Sequence, residues 1–386
     1  MVHTADGWAL AIDLGTSFTA AATADPGGPP VLLPLEAGGP LPSPVAADPA
    51  GRLRTGREAL LLADRQPECA ERDPARALVQ QRRLLLGGRA VDAVEPAAAV
   101  LARVLAGARD RHGGSAPSRT VLTRPGHWTD AACERLALAA GAAGIERPEL
   151  LPEPVAAAFH HAAADDPGDC RIGVLDLGGS VFRPAVLSWN AGGPRIEAAA
   201  EETALGGDDL DECLRELLGE LVFDRGPSGP WLELWADSRR SSARQRSLLR
   251  ELTTARETLS AASDVRVAVP GYDEPFLVRG HEFRSAAEQV VRRCWEAFAA
   301  TVRRAGSEPA DLHHVVLAGA ACRTPLVSDL VADAMGGRLP RLAADPKASV
   351  VLGALTGPPG GASATVPRRR GAPRVSFEPD DPYLER

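Results

Sequence analysis

Two short apolar runs, each followed by an aspartate and a glycine, mark the chain. Residues 9–12 are followed at 13–16 by Asp-Leu-Gly-Thr, and residues 172–175 are followed at 176–179 by Asp-Leu-Gly-Gly. Another β-prone run comes after each glycine, so both segments are predicted to be hairpins that turn at the glycine. The recurrence predicts a fold built from two similar halves.

The spacing of apolar residues predicts the other elements. In the first half these are turns and short strands at 26–49, a helix at 95–108, a strand at 119–123, a helix at 130–143 and a helix that starts with Pro154. In the second half they are helices at 208–221, 243–261, 282–304 and 346–355, and a hairpin at 265–278. Residues 227–242 form a polar stretch to which no element is assigned. Residues 357–386 are rich in Pro, Gly, Ser and charge, which predicts a disordered tail that is dispensable for folding.

Composition argues against several classes of protein. The formal net charge of −8 argues against a nucleic-acid-binding body. No run approaches the roughly 18 apolar residues needed to span a bilayer, and the start lacks the basic and apolar regions of a signal peptide. The six cysteines are scattered without metal-type pairs and are interpreted as reduced thiols. We therefore expect a cytoplasmic monomer without a membrane or nucleic-acid partner.

The two glycine turns carry groups that suit a nucleotide. A carboxylate at the tip of a strand, such as Asp13 or Asp176, can hold a hydrated cation. Glycines let backbone N–H groups approach phosphate oxygens closely. One such turn is weak evidence, whereas two in one chain suggest a duplicated fold that closes on a nucleotide from both sides.

Five segments appear in an order typical of one family. They are residues 13–16, the Glu-Pro-Val-Ala-Ala-Ala at 153–158, residues 176–179, the Leu-Gly-Gly-Asp-Asp-Leu-Asp at 205–211, and the strand–turn–helix pattern at 315–325 that contains Arg323 and Pro325. On these segments the chain resembles the ATPase domain of the 70-kDa heat-shock chaperone family, within the actin-like ATPase superfamily, as a divergent member. The resemblance implies an α/β, two-lobed actin-like ATPase fold, in which duplicated ribonuclease-H-like domains enclose a central nucleotide cleft.

The resemblance also implies a domain organisation. Lobe I is expected at 8–170 with an inserted subdomain at about 40–115, and lobe II at 171–337 with an inserted subdomain at about 225–310. Residues 338–356 are expected to return to lobe I as a helix. We expect no peptide-binding domain, because the tail at 357–386 offers nothing from which to build one.

By resemblance, the two glycine turns and a neighbouring segment hold the phosphates of ATP or ADP. The residues implied are Asp13, Gly15, Thr16 and Ser17 in the first turn, Asp176, Gly178, Gly179 and Ser180 in the second, and Gly206 and Gly207 in the segment at 205–211. Asp13 and Asp176 are the expected Mg²⁺ ligands. With Glu153, which would position the attacking water, they form the expected catalytic set.

The adenosine end of the nucleotide is implied to lie against other residues of the second half. They are Arg256, Ser260, Gly319 and Arg323. The flat guanidinium of Arg323 would lie against the adenine ring.

Several positions depart from the family's pattern. The family continues its second turn as Gly-Thr-Phe-Asp, where this chain has Val181 for the threonine and Arg183 for the aspartate. The family's catalytic lysine falls on Gln81 or Arg82, depending on where a gap is placed, and the one lysine of the chain, Lys347, replaces an acidic residue. These changes predict a weakened Mg²⁺ site and slow hydrolysis, because phosphoryl transfer depends on electrostatic stabilisation of the γ-phosphate.

Three hypotheses about function follow. The first is a chaperone-like protein that binds ATP and ADP with weak or absent hydrolysis, and that serves a protein client or co-chaperone the sequence does not identify. The second is a working ATPase in which Arg82 or Arg183 replaces the charge of the lost lysine. The third is an interaction scaffold without nucleotide, whose site is closed by an ion pair of Arg183 with Asp176 or Asp13. A sugar or acetate kinase of the superfamily is disfavoured, since no extra substrate domain is apparent.

Overall fold

The chain forms two compact units in the computed structural model, which describes residues 7–36, 39–80, 83–162, 168–236, 239–357 and 364–365. Unit 1 comprises Met1–Ala163 and Val350–Arg386, and unit 2 comprises Ala164–Ser349. The predicted lobe boundary at 170/171 and the predicted return at 338 differ from these bounds. Unit 1 is therefore built from both ends of the chain.

Unit 1 begins with six strands, after which helices and strands are interspersed. In chain order they are β1 (Ala9–Leu14), β2 (Phe18–Ala24), β3 (Val31–Leu32), β4 (Leu41–Pro42), β5 (Val45–Ala47), β6 (Leu53–Arg54), α1 (Gly56–Arg65), β7 (Ala70–Glu71), α2 (Pro74–Gln80), β8 (Arg83–Leu86), β9 (Arg89–Asp92), α3 (Val94–Arg111), β10 (Arg119–Arg124), α4 (Asp130–Ala142), β11 (Glu149–Pro152) and α5 (Glu153–Ala162).

The main sheet of unit 1 has the order β11-β10-β1-β2-β3, and β4 also pairs with β2. Strand β1 runs antiparallel to β2 and parallel to β10, which is parallel to β11. Leu10, Ala11 and Ile12 of β1 are all fully buried, so both faces of this strand are covered by the rest of the unit. This explains why the run at 9–12 is continuously apolar rather than alternating.

Helix α3 supplies much of the core of unit 1. Six of its nine buried residues recur three and four positions apart, as expected for one face of a helix: Ala97, Val100, Leu101, Val104, Leu105 and Ala108. They belong to the same hydrophobic cluster as Leu10 and Ile12 of β1. The sheet is thus held by a helix whose position the apolar spacing predicts.

Unit 2 follows the same plan. Its elements are β12 (Cys170–Leu177), β13 (Phe182–Asn190), β14 (Gly193–Ala199), α6 (Gly207–Arg225), α7 (Ser228–Leu234), α8 (Arg239–Leu259), β15 (Asp264–Val267), β16 (Phe276–Arg279), α9 (Gly280–Arg304), β17 (His314–Ala318), α10 (Pro325–Ala334) and β18 (Arg341–Leu342).

The main sheet of unit 2 has the order β14-β13-β12-β17-β18. Strand β12 is antiparallel to β13 and parallel to β17, which is parallel to β18. The sheet of unit 1 reads β3-β2-β1-β10-β11 with the same directions, so the two sheets share one topology. Each glycine turn joins the first two strands of its sheet, as the recurrence in the sequence predicts.

The end of the described chain returns to unit 1. Helix α11 (Ser349–Thr356) packs on α5, and a Cβ atom placed on Gly353 would lie 1.9 Å from the carbonyl oxygen of Ala156. Strand β19 (Ala364–Thr365) pairs antiparallel with β11. These two residues depart from the predicted disorder, because the edge of β11 gives their backbone groups partners. The rest of 358–386 lies outside the described residues.

Three of the observed helices, α1, α2 and α7, were not predicted from the sequence. The polar stretch at 227–242 contains α7, in which Trp231 and Leu234 are buried. A helix of seven residues with two buried positions is too short to show a periodic pattern. In the part of the chain that the structure describes, no helix is long and apolar enough to cross a bilayer.

We expect the turn after β5 to depend on ionised Asp48. Burial raises the pKa of Asp48, but hydrogen bonds from Arg54 and from the backbone and side chain of Arg52 outweigh it and lower the pKa to about 2. Because the pKa of Asp48 is lower in the folded state, its carboxylate stabilises the fold at pH values above the unfolded pKa of 3.8. This stabilisation is lost as the pH falls towards 2.

Asp48→Asn should therefore lower the free energy of unfolding at pH 7. We expect a loss of only about 1 kcal/mol, because solvent screens the ion pair with exposed Arg52. Urea unfolding of both proteins at pH 7 and pH 3 checks this. A difference between the proteins that stays constant over this pH range would contradict it.

Candidate functional site

The carboxyl ends of three neighbouring parallel strands bring polar residues to one edge of the unit 1 sheet. Asp13 lies at the end of β1, Thr123 near the end of β10, and Glu153 directly after β11 as the first residue of α5. The Thr123 hydroxyl donates to Asp13 Oδ1 at 2.6 Å. Glu153 is buried at 7% exposure, and its strand β11 is separated from β1 by β10. The structure thus places Asp13 and Glu153 on the same edge.

Ser43 stabilises the first glycine turn, residues 13–17, through a side-chain hydrogen bond. The Ser43 hydroxyl donates to the carbonyl oxygen of Gly15 at 2.7 Å and shares a 2.9 Å hydrogen bond with the buried Thr19 hydroxyl. A Cβ atom on Gly15 would lie 2.6 Å from the carbonyl oxygen of Phe18, so the turn is too tight for any other residue. Its backbone is fixed in shape before any ligand arrives.

The second glycine turn, residues 176–180, has a matching shape. The N–H of Gly178 donates to the carbonyl oxygen of Val181 at 2.9 Å. The carbonyl oxygens of Gly178 and Gly179 accept hydrogen bonds from the N–H groups of Gly207 (3.0 Å) and Asp208 (2.7 Å) at the start of α6. The helix terminus thus anchors the turn through its carbonyl groups.

Four N–H groups at the tips of the turns are open to a ligand. Among the described residues, none accepts a hydrogen bond from the backbone N–H of Thr16, Ser17, Gly179 or Ser180. Two adjacent N–H groups in a turn form a concave anion site of the kind that binds phosphate. Each unit therefore offers a comparable pair of donors next to an aspartate.

Gly206 and Gly207 have a different role in the structure. The N–H of Gly206 donates to Asp209 Oδ2 at 2.8 Å, and the N–H of Gly207 is bonded to the second turn. A Cβ atom on Gly206 would lie 2.5 Å from the carbonyl oxygen of Gly179. These glycines let α6 approach the second turn closely, and their own N–H groups already have acceptors.

Gly319 brings a third backbone segment to Asp176. It follows β17, whose residue Ala318 is paired with Asp176 of β12. Gly319 has φ +83, and a Cβ atom there would lie 2.2 Å from the carbonyl oxygen of Leu177 and 2.7 Å from Asp176 Oδ1. Only glycine combines this conformation with this approach. The predicted site residues Asp176 and Gly319 are therefore neighbours.

Arg183 also lies beside Asp176, since the two residues are directly opposite each other on β12 and β13. The Arg183 guanidinium donates to Glu202 Oε1 from Nε at 3.1 Å and from Nη2 at 2.8 Å. Its side chain is 17% exposed, so the strand holds it at the site rather than in solvent. Pro184 is tolerated in β13 at the end of the pairing with β14: its carbonyl oxygen accepts the N–H of Ala200 at 3.0 Å, and the strand register begins at Ala185. The charge of Arg183 is thus largely neutralised by Glu202.

Arg256 is buried in an ion pair that joins α8 to α6. Its Nε donates to Asp211 Oδ1 at 2.6 Å, and the Thr253 hydroxyl donates to Asp211 Oδ2 at 2.7 Å. Burial and the nearby carboxylate of Asp211 raise the pKa of Asp208. The predicted ligand contact of Arg256 therefore has to coexist with a structural contact inside unit 2.

A chain of charged residues links α8 to the start of α10. Arg323 Nη2 donates to Asp345 Oδ1 at 2.8 Å, and the same oxygen accepts the backbone N–H of Lys347. Lys347 Nζ donates to Glu257 Oε1 at 2.9 Å. Burial raises the pKa of Glu257, but the hydrogen bond and charge of Lys347 outweigh it and lower the pKa overall. The unexpected lysine is therefore paired with an acid on the neighbouring helix.

A cavity of about 420 Å³ opens beside this chain of charges, entirely within unit 2. It is lined by the end of α8 with Arg256 and Ser260, by the start of α9, and by residues 324–326 after Arg323. The Ser260 hydroxyl donates to the carbonyl oxygen of Arg256 at 3.3 Å. The volume of the cavity is typical of a small-molecule site.

Some predicted residues are not placed. Gln81 and Arg82, the alternatives for the family's lysine, lie outside the described residues. Within the described ranges, no three or more His, Cys, Asp or Glu side chains are grouped to hold a metal ion. An Mg²⁺ ion held by either aspartate, Asp13 in unit 1 or Asp176 in unit 2, would need further ligands such as water and phosphate.

The sequence missed the residues that support the turns. Ser43 and Thr123 contact the first turn from 28 and 110 positions away. Glu202 and Asp345 bind the arginines at the second turn and the start of α10. A polar residue buried in a predicted strand is a signal of this kind, and it could have identified Thr123, which follows Val121 and Leu122.

Residues 72–357 match the family model described as Hsp70 protein. The match covers both glycine-rich segments of unit 2, Glu153 and the return through α11. It starts after the first glycine turn, which lies at residues 13–17.

Curated relatives cover more of the chain. The chaperone protein HscA homolog of Burkholderia orbicola is 31% identical over 376 residues, and that of Bordetella petrii is 30% identical over 368 residues. Each alignment covers 90% of this chain and 57% of the relative. The chaperone protein HscA of Salmonella newport is 34% identical over 236 residues, which is 61% of this chain and 35% of the relative. The chain thus spans a little over half the length of the first two relatives.

Proposed function

The chain belongs to the Hsp70 family, with the α/β actin-like ATPase fold that its sequence predicted, and we propose that it binds ATP and ADP but hydrolyses ATP slowly or not at all. The observation that carries this proposal is the pair of matching glycine turns. Each turn presents two N–H groups without acceptors among the described residues, next to Asp13 in unit 1 or Asp176 in unit 2. Such groups bind the oxygens of phosphate chains.

Asp13 and Asp176 fit the requirements of Mg²⁺. Both are carboxylates at the carboxyl ends of buried strands, and hard divalent cations prefer such oxygens, often through water. Bound Mg²⁺ would neutralise charge on the phosphates. The Thr123 hydroxyl already occupies one lone pair of Asp13 and orients the carboxylate.

The adenosine end of the nucleotide is proposed to bind in the cavity of unit 2. Ser260 lines it, and Arg323 directly precedes the lining residues 324–326. The ion pair with Asp345 fixes the plane of the Arg323 guanidinium, which favours stacking on a flat ring. Gly319 would bring the same segment close to the second turn.

Slow hydrolysis is proposed because the groups beside Asp176 are altered. Val181 supplies no hydroxyl, and Arg183 with Glu202 forms a neutral pair where the family has a single aspartate. Such a pair neither attracts a cation as an aspartate would nor concentrates positive charge on a γ-phosphate. Binding is thus retained while stabilisation of the transition state is reduced.

The cellular role is proposed to be that of a chaperone-family protein. The relatives are named chaperone proteins, and the chain spans a little over half of the length of the first two. On this basis the chain is proposed to bind a protein client or co-chaperone. A cytoplasmic location and a monomeric state are likewise proposed.

Calorimetric titration with ATP and ADP, with and without Mg²⁺, tests the proposal. We expect binding of both nucleotides, strengthened by Mg²⁺. In Asp13→Asn the gain from Mg²⁺ should fall about tenfold, since one charge-assisted contact to the hydrated ion is lost. Asp110→Asn, which changes an exposed aspartate of α3, is the matched control and should bind as the unmodified protein does.

The opposite outcome is equally clear. If neither nucleotide produces heat or a thermal shift at millimolar concentration, the proposal is wrong. An interaction scaffold that works without nucleotide would then be the better hypothesis.

A further inference from the structure

Two buried hydroxyl groups, those of Thr19 and Ser43, connect the interior of unit 1 to the first glycine turn. Both residues are 0% exposed. The Ser43 hydroxyl uses its one proton to donate to the carbonyl oxygen of Gly15 at 2.7 Å, so Thr19 supplies the proton in the 2.9 Å bond between the two hydroxyls. The hydrogen bonds therefore run in one direction, from Thr19 through Ser43 to the peptide group of Gly15.

The peptide group at the end of this series also carries one of the open N–H groups. The carbonyl of Gly15 and the N–H of Thr16 belong to one planar trans unit, in which the two bonds point in opposite directions. Ser43 holds the carbonyl, so the N–H of Thr16 is directed away from Ser43, where none of the described residues accepts its hydrogen bond. A side chain that does not reach the ligand thus sets the direction of a donor that does.

The second glycine turn orients its open N–H groups in another way. The carbonyl groups of Gly178 and Gly179, which share peptide units with the N–H groups of Gly179 and Ser180, accept hydrogen bonds from the backbone of α6. The first turn depends instead on one serine. The backbone N–H of Ser43 also donates to the carbonyl oxygen of Ser17 at 3.0 Å, so this residue holds the turn at two carbonyl groups.

We propose that Ser43 and Thr19 are positioning residues, which direct and polarise the N–H of Thr16 for a phosphate oxygen. The inference rests on the proposed function, since it takes the ligand of the turn to be the phosphate chain of a nucleotide. Hydrogen bonds in series polarise one another, so a carbonyl group that accepts such a bond makes the N–H of its own peptide unit a stronger donor. Because neither side chain is exposed, both act through the backbone.

Titration calorimetry with ATP and ADP tests the inference. Ser43→Ala should bind both nucleotides about tenfold more weakly than the unmodified protein, because the donor is no longer held in its direction. Thr19→Val keeps the shape of the side chain and the bond from Ser43 to Gly15, and it should bind them about twofold more weakly. Thr19→Ser, which retains a hydroxyl, should regain the affinity that Thr19→Val loses. The two Thr19 variants test the inference even if Ser43→Ala does not fold.

The amide resonance of Thr16 separates this role from a merely structural one. In protein labelled with ¹⁵N-threonine, the resonance is identified by its loss in Thr16→Ser. Saturating ATP should move it downfield in the unmodified protein, because the N–H then donates to an anionic oxygen. In Ser43→Ala the movement at saturation should be smaller. Since both proteins are saturated, a difference in affinity does not contribute to this comparison.

Thr301→Val is the matched control. Thr301 is also 0% exposed, and its hydroxyl donates to the carbonyl oxygen of Ala297 at 2.9 Å within α9. Like Thr19→Val, this substitution removes a buried hydroxyl and keeps the shape of the side chain. It should change neither the affinity for ATP nor the movement of the Thr16 resonance.

An affinity of Ser43→Ala for ATP within twofold of the unmodified protein would overturn the inference while leaving the proposed function intact. Equal movement of the Thr16 resonance in the two saturated proteins would do the same. Unchanged affinity in Thr19→Val would overturn the part assigned to Thr19. If the unmodified protein binds neither nucleotide, the proposed function fails first, and the inference fails with it.

Discussion

Gly319→Ala is expected to destabilise unit 2 by about 3 kcal/mol or more and to abolish nucleotide binding. The φ of +83 disfavours any side chain, and the new Cβ atom would lie 2.2 Å from the carbonyl oxygen of Leu177. Relief of this overlap requires β12 or the segment after β17 to move. Either movement displaces Asp176, whose Oδ1 would lie 2.7 Å from the same atom.

Gly336→Ala is the matched control. Gly336 has a similar φ of +68, but no atom lies within 4 Å of its Cβ position. This variant should lose only about 1 kcal/mol from backbone strain. Urea unfolding and ATP titration of both variants measure the difference. Equal losses of stability in the two variants would show that the close approach at Gly319 is unimportant.

Arg183→Asp, combined with Gln81→Lys or Arg82→Lys, is expected to raise Mg²⁺-dependent ATP hydrolysis about 10²-fold. The new carboxylate would lie opposite Asp176 and beside Glu202, which loses its hydrogen bonds from Arg183. Three neighbouring acids attract a cation strongly. Arg183→Asp alone should therefore make ATP binding more dependent on Mg²⁺ without restoring turnover.

A second ion pair of the same sheet provides the control. Arg171 Nε lies 2.9 Å from Glu197, at the opposite end of β12 from the glycine turn. Arg171→Asp breaks this pair and should change neither hydrolysis nor metal dependence. Steady-state phosphate release at several Mg²⁺ concentrations is the measurement. Hydrolysis by the unmodified protein at the rates usual for the family would refute the argument from Arg183.

The main strands and helices were predictable because each depends on a pattern of residues that are close in sequence. The continuous apolar run of β1, the three-and-four spacing of α3 and the glycine turns each depend on residues close in sequence. The predicted bounds of α3, α4 and α9 differ from the observed ones by a few residues at most. The predicted family is confirmed by the match over residues 72–357.

The chemistry of the site was less predictable because its partners are distant in sequence. Arg183 was expected to replace the charge of the family's lysine or to pair with Asp176 or Asp13, and its hydrogen bonds to Glu202, 19 positions away, were not predicted. The buried pair of Arg256 and Asp211 joins residues 45 positions apart. Charged residues at the surface and in a site look alike in a sequence, since only the folded chain decides which of them meet.

The division of the chain has a consequence for its synthesis. Unit 1 is interrupted by unit 2 in the sequence, so α5 is synthesised long before α11. The contact of Gly353 with Ala156 can form only after α11 has been made. At 5–20 residues per second, this interval lasts roughly 10–40 s. During that time unit 2 emerges whole, while the nascent first unit exposes the surface that α11 later covers. The amino-terminal half is therefore the last to be completed, and a chain whose synthesis stops before residue 350 lacks the helix that completes unit 1.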